Sequence, residues 1–318
     1  MKIIFMGTPE FAIPSLEKLL AEGHKILQVI SQPDKPSSRG RKISMPPVKR
    51  YALERELPVY QPEKIKSDNF YELLRQLQPE IIVVVAFGRI LPARIIYLPA
   101  RGSVNLHASL LPKYRGAAPI NWAIIKGEKE TGCTTMLIDE GMDTGDILLK
   151  EKVSIEPQEN ALELSKRLSK IGAELLCQTL KGLEKGNLSP VKQDDSLATY
   201  APMLKKEDGL IDWSLDAISI FNHIRGMFPW PGSYTYFRGS WLKLLRAQPN
   251  EEVAINKRPV KPGEIVSLTR DSIIVACGQD SFLSLLQFQP QNRSVMSGRD
   301  FINGYRPSVE ELLGESSC

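Results

Sequence analysis

Two short stretches of this chain carry side chains that could do chemistry. One is Asn105-Leu106-His107-Ala108-Ser109-Leu110-Leu111-Pro112; the other is Asp139-Glu140-Gly141-Met142-Asp143-Thr144-Gly145-Asp146. If residues 103–107 are extended, Asn105 and His107 point to one face and Leu106 to the other, because side chains alternate along a strand. An amide that can donate to a developing oxyanion then stands beside an imidazole that can carry a proton near neutral pH. A histidine on a buried strand is also what a satisfied core side chain looks like, and these residues alone leave both readings open. The second stretch, two glycines among four acids, reads equally as an ordinary acidic turn, and its spacing is not that of an EF-hand loop. Folded back to the strand end, one of its carboxylates would lie beside His107 and fix its tautomer.

Such a strand needs a scaffold, and the alternation of apolar runs with amphipathic segments predicts one. Strands are expected at 2–6, 26–31, 81–86, 103–107, 134–138 and 147–153, and helices at 10–21, 68–77, 117–126 and 159–183. This pattern predicts an α/β fold with an open, doubly wound, largely parallel sheet of Rossmann-like form. Open sheets of this kind bind ligands at the carboxyl ends of their strands. The first βα turn, Gly7-Thr8-Pro9-Glu10-Phe11, is not GxGxxG, which argues against a dinucleotide there and turns attention to the end of strand 103–107. From about residue 208 the texture changes. A helix at 217–225 is followed by strand-like runs at 233–237, 241–247, 264–268, 272–276 and 282–287, separated by Pro and Gly turns. Five short strands at this spacing predict a small OB-like β-barrel. The expected domains are 1–192, a polar linker 193–207, and 208–318.

Composition narrows the function classes. The 318 residues are 42% hydrophobic and 25% charged, enough for two cores. Cys133, Cys177, Cys277 and Cys318 form no CxxC pair, and the only histidines are His24, His107 and His223. No metal site is expected from ligands so scattered, and unpatterned cysteines fit a reducing cytosol. The apolar part of the N-terminus is too short for a signal peptide. The longest apolar run, 81–87, falls far below the roughly 20 residues a membrane helix needs. A soluble, cytoplasmic protein is expected, with nothing that calls for an obligate partner, so a monomer.

A net charge of +4 does not announce a nucleic-acid binder, but its distribution says more. Lys35, Arg39, Arg41, Lys42, Lys49 and Arg50 lie between Asp34 and Glu54 with no acid among them. Arg225, Arg238, Lys243 and Arg246 are interleaved with Phe228, Trp230, Tyr234, Tyr236, Phe237 and Trp241. Cations suit phosphates and aromatic rings stack on unpaired bases. The same residues also suit a solvated loop and a barrel core, and residues 206–318 hold 12 cations against 13 acids.

Taken in order, the segments GTPEFA at 7–12, QPDKP at 32–36, Asn105-x-His107 with SLLP at 109–112, RGAAP at 115–119 and DTGD at 143–146 resemble the 10-formyltetrahydrofolate-dependent formyltransferases end to end. Within that family the resemblance is strongest to the branch that formylates methionyl initiator tRNA. It implies formyl transfer from 10-formyltetrahydrofolate, without a metal, to the amino group of that tRNA. The implied catalytic residues are Asn105, His107 and Asp143, with no covalent enzyme intermediate. Phe87, Gly88, Leu91, Ser109, Leu110, Leu111, Pro112 and Asp139 are the implied folate site. The loop 33–42 would enter the tRNA acceptor stem with Arg39, Arg41 and Lys42, aided by Lys206 and Lys243. Rival acceptors are a glycinamide ribonucleotide, against which the segment after 208 counts, and a nucleotide-linked amino sugar, against which the basic 35–50 stretch counts. A catalytically silent RNA-binding module is disfavoured by the intact Asn105, His107 and Asp143.

Overall fold

A computed structural model of the chain describes residues 1–36, 43–250 and 259–314. The chain forms two compact units. The first takes in Met1–Pro119, Glu130–Ser154 and Leu164–Pro202; the second takes in Ile120–Lys129, Ile155–Glu163 and the residues from Met203 onward.

The first unit is built on a seven-stranded sheet. Its order is Ile147–Ser154, Glu130–Leu137, Ser103–His107, Ile81–Val85, Lys2–Gly7, Lys25–Ile30 and Val59–Tyr60. The five strands from Ser103–His107 to Val59–Tyr60 run parallel, and Glu130–Leu137 pairs antiparallel with both of its neighbours. The central Ile81–Val85 run is buried along its whole length, as a parallel strand covered on both faces must be. Phe70 and Leu74 of the Asp68–Leu77 helix cover one face with Ile4, Met6, Ile82 and Val84. On the other face the helix Ala161–Lys185 approaches closely at Gly172, where a Cβ would lie 2.8 Å from a Leu106 methyl. The open, largely parallel architecture follows the sequence expectation. Several short elements go beyond it. The helix Pro47–Leu53 and the strand Val59–Tyr60 are too short for periodicity to reveal.

The second unit carries an antiparallel sheet whose path runs Ser233–Phe237, Ser240–Asn250, Phe282–Pro290, Ile273–Ala276 and Ile265–Leu268; Met296–Ser297 pairs with Phe282–Pro290 as a sixth strand. Residues 310–314 join its two edges. The Leu313 N–H donates to the Gly263 carbonyl and the Ile265 N–H to Glu311, while the Gly314 N–H donates to Tyr236 on the opposite edge strand. Leu313, 5% exposed, anchors this bridge in the core. The result is the barrel-like form expected of the second unit. The helix Gly298–Tyr305 was not anticipated, although its signal was present: Ser297 three residues before Asp300 is a capping pair, and the Ser297 hydroxyl accepts from the Asp300 N–H.

Among the described residues no helix is long and apolar enough to cross a membrane. Burial pushes the thiols of Cys133 and Cys277 up to about 12 and that of Cys177 up to about 11. These three are packing residues with no thiolate to offer.

His223 is a titratable group bonded inside the second unit. Its Nε2–H donates to the Asp208 carbonyl at 2.7 Å, and Ser233 Oγ lies 3.0 Å from Nδ1. Burial holds its pKa below the ordinary 6.5, outweighing the opposing pull of Asp208. A folded-state pKa below the unfolded one contributes stability above the unfolded value, and that contribution is lost as pH falls through the folded one. The thermal midpoint should therefore drop as pH falls below about 6.5, and His223→Gln should flatten that slope. An unchanged slope in the variant would show that His223 is not the group responsible.

Candidate active site

The Ser103–His107 strand ends as the alternation requires. Leu106, 3% exposed, faces the long helix, so Asn105 and His107 face the opposite side. His107 is 6% exposed. Its Nε2 lies 3.0 Å from the Tyr114 carbonyl oxygen. A carbonyl only accepts, so Nε2 carries a hydrogen and Nδ1 is the nitrogen left to exchange a proton. Nδ1 lies 3.6 Å from Asp143 Oδ2, close enough for electrostatic contact but longer than a formed hydrogen bond. The Asn105 side chain is half-buried and makes no hydrogen bond among the described residues. It is a donor at a strand end with no acceptor among the described residues.

Asp143 stands at φ 55°, in the left-handed region, which costs on the order of 1 kcal/mol for a residue with a Cβ. Two contacts hold it there. The Gly116 N–H donates to Oδ2 at 2.8 Å, and the Gln193 side-chain amide donates to its backbone carbonyl, also at 2.8 Å. The same Gln193 nitrogen reaches the Gly145 carbonyl at 2.8 Å, while Gln193 Oε1 accepts from Arg115 Nε and Nη2 at 3.1 and 2.8 Å. Arg115, 3% exposed, also pairs with Asp195 at 2.8 Å. Residues 115–116 form a parallel two-residue pair with Tyr200–Ala201. Gly116 sits at φ +120°, and a Cβ there would lie 2.7 Å from the Ala201 carbonyl oxygen. Only glycine lets the two segments approach this closely.

The other candidate residues occupy distinct places. Ser109 is buried and donates to the Lys113 carbonyl at 2.6 Å; Thr134 accepts from the Leu111 N–H and donates to the Ser109 carbonyl. Leu111 packs with Met136 and Ile147, and Leu110 lies over Gly132. Pro112 is half-buried at the end of this turn. Phe87 has its ring in the core, with Leu91 in the same cluster. The Phe87 carbonyl accepts from Thr8 and Gln32, and Gln32 also reaches the carbonyl of Gly88, which sits at φ +75°. The Asp139 carboxylate is engaged in its own loop, accepting from the Gly141 N–H and the Thr144 hydroxyl. What these loops present outward is therefore backbone more than the named side chains. Thr8 and Phe87 follow adjacent strands whose connections leave in opposite directions, the place where such sheets open a crevice.

Arg39, Arg41 and Lys42 lie outside the described residues. Lys206 is exposed. Lys243 is half-buried against Gly232, donates to the Pro229 carbonyl at 3.3 Å and has its pKa lowered by burial. Of the aromatics nearby, Phe237 belongs to the core, Tyr234 and Trp241 lie with ring centroids 5.5 Å apart, and Trp230 is 56% exposed. Sequence reasoning missed Gln193, Thr134 and Gln32. Nothing in the residue type marks Gln193, which sits in a polar stretch that reads as linker. Gln32 opens the QPDKP segment, which carries a signal but does not show its role.

A family model described as formyl transferase matches residues 1–180, and one described as formyl transferase, C-terminal domain, matches residues 203–306. The chain is 48% identical over 316 residues to a methionyl-tRNA formyltransferase of Geobacter sulfurreducens, covering 99% of this chain and 98% of that one. It is 50% identical over 306 residues to a methionyl-tRNA formyltransferase of Caldanaerobacter subterraneus, covering 96% and 97%. Among solved structures it is similar to WlaRD, a sugar 3N-formyl transferase, with TM-score 0.67 and 19% identity over 92% of this chain and 99% of that one. It is also similar to HypX from Aquifex aeolicus in complex with tetrahydrofolic acid, with TM-score 0.63 and 18% identity over 98% and 48%. At such identities these two likenesses speak for the fold alone.

The loop carrying Asp143 leaves little room for change. A Cβ on Gly145 would overlap the Leu137 carbonyl oxygen. Gly145→Ala should destabilise the protein by about 1–3 kcal/mol in urea unfolding, as overpacking does. A variant as stable as the parent would show that the loop is free to shift.

Proposed function

Because the chain belongs to the formyl transferase family, we propose that it moves a formyl group from 10-formyltetrahydrofolate to the free amino group of methionyl initiator tRNA, giving the formylmethionyl-tRNA that starts translation. The observation that carries this reading is the 48% and 50% identity, over nearly the whole of both chains, to proteins named methionyl-tRNA formyltransferase. The two family models, which match both halves of the chain, agree with it.

The site geometry supports a division of roles. The reaction joins the amine nitrogen to the formyl carbon, breaks the bond from that carbon to the folate N10, and moves one proton from the amine to N10. Negative charge gathers on the formyl oxygen as the carbon becomes tetrahedral. Asn105, whose amide has no acceptor among the described residues, donates to that oxygen. His107 carries the proton on Nδ1, since Nε2–H is committed to the Tyr114 carbonyl, and Asp143 stabilises the charged ring and keeps its orientation. No covalent intermediate is needed, in keeping with thiols raised out of reach of ionisation. The folate pterin is held by the backbone of loops 87–92 and 139–143, with Ser109, Leu110, Leu111 and Pro112 shaping the adjoining wall; the Phe87 and Leu91 side chains and the Asp139 carboxylate support these loops from within.

On the tRNA side, Arg39, Arg41 and Lys42 contact the acceptor stem. The second unit helps to hold the tRNA through the exposed Lys206, with Lys243 contributing less because it already has a partner. Asn105, His107 and Asp143 come from one chain, so a monomer suffices, and the substrates put it in the cytoplasm.

The decisive assay offers 10-formyltetrahydrofolate with either methionyl initiator tRNA or a nucleotide-linked amino sugar. Transfer to the tRNA is expected, with Asn105→Ala and His107→Ala each lowering kcat by about 10²-fold or more and tRNA affinity nearly unchanged. Preference for the sugar would overturn the substrate assignment, and full activity in His107→Ala the catalytic one. Binding of the tRNA should also weaken with salt, with a log–log slope of about −0.9 per duplex phosphate contacted. Arg39→Ala and Arg41→Ala should each make that slope shallower by about 1 without changing folate binding; a salt-independent affinity would remove the basic loop from the interface.

A further inference from the structure

Residues 193–202 read as linker in composition, yet they are bonded into the first unit at the point where the chemistry is proposed to occur. Gln193 is the clearest case. Its side-chain nitrogen has two hydrogens, and both have strong acceptors: the carbonyls of Asp143 and Gly145, each at 2.8 Å. Its side-chain oxygen has two lone pairs, and both are taken by Arg115, through Nε at 3.1 Å and Nη2 at 2.8 Å. The amide is thus fully satisfied in one orientation, since a flip would set oxygen against two carbonyls and nitrogen against a guanidinium. Arg115 fixes that orientation and is itself held by Asp195.

What Gln193 grips is the backbone of a residue in an unfavourable conformation. Asp143 at φ 55° persists only where its surroundings over-determine it. Its carboxylate is fixed by the Gly116 N–H and its carbonyl by Gln193. Without the second contact the residue can relax about its backbone, swinging Oδ2 away from His107 Nδ1. Resting on the reading above, in which Asp143 and His107 form the catalytic pair, the geometry points to Gln193 as a positioning residue: it holds Asp143 in register with His107 and acts on the rate without touching either substrate.

Two substitutions separate this role from mere anchoring of the 193–202 segment. Gln193→Glu keeps an acceptor for Arg115, and so keeps the anchor, but removes both donors to the loop. Gln193→Met removes donors and acceptor at nearly constant shape and without new charge. Positioning predicts that both variants lower kcat for methionyl-tRNA formylation by about 10-fold to 10²-fold, the scale of a small misplacement of a reacting group. The KM for 10-formyltetrahydrofolate and for the tRNA should stay within about twofold, and binding of 5-formyltetrahydrofolate should remain stoichiometric. Gln193→Glu at the parent rate would overturn the proposal and leave Gln193 an anchor; so would a loss that appears in KM or in the fraction of chains that bind 5-formyltetrahydrofolate. Asp143→Asn is the control. If it transfers formyl groups at the parent rate, the catalytic pair itself is misassigned; if it is impaired while Gln193→Glu is not, only the positioning role fails.

Discussion

Three consecutive residues, Tyr114, Arg115 and Gly116, reach every group of the centre except Asn105. The carbonyl of the first fixes the tautomer of His107, the side chain of the second orients Gln193, and the N–H of the third holds the Asp143 carboxylate. This works only because the segment is itself immobilised. The Tyr114 N–H donates to the Thr199 hydroxyl and the Arg115 N–H to the Thr199 carbonyl, and the N–H groups of Ala117 and Ala118 share the Ala201 carbonyl. A small parallel pairing outside the main sheet therefore sets the geometry of a histidine on one side and a carboxylate loop on the other.

The main sheet supplies what that segment cannot, a rigid platform. Asn105 and His107 stand on a strand hydrogen-bonded on both sides, between Ile81–Val85 and Glu130–Leu137, and backed by a helix close enough to exclude a side chain at Gly172. Some of the chain's backbone strain falls on residues next to this platform. Ala86, Tyr114 and Asp143 all have positive φ; the first follows a central strand, and the other two meet at His107. Stored strain of this kind is tolerated where neighbours over-determine the backbone, as the hydrogen bonds around Asp143 do.

Much of this was legible from residue order. The two-residue period placed Asn105 and His107 on one face, and the continuous apolar run at 81–86 announced a buried strand. The Gly-rich acidic stretch was ambiguous alone, because nothing local says whether Asp139 or Asp143 turns inward. In the fold Asp139 closes its own turn and Asp143 meets the imidazole. Gln193 was illegible for a deeper reason: its role depends on contacts to residues 78 and 50 positions earlier in the chain, and a lone glutamine in a polar stretch carries no periodicity. Short elements such as Val59–Tyr60 escaped for lack of length, and Lys243 could not be recognised as a partnered cation without seeing Pro229 and Gly232.

The bridge at 310–314 has a bearing on how the second unit is made. Both edge strands of its sheet precede the bridge in the chain, so each has N–H and C=O groups left open until those later residues arrive, although Tyr234 already pairs with Leu210 and Ile211. Such edges are templates for pairing with another molecule. A nascent or shortened chain lacking the bridge would carry two sticky borders at once, so correct completion of this unit is a race between its own tail and its neighbours.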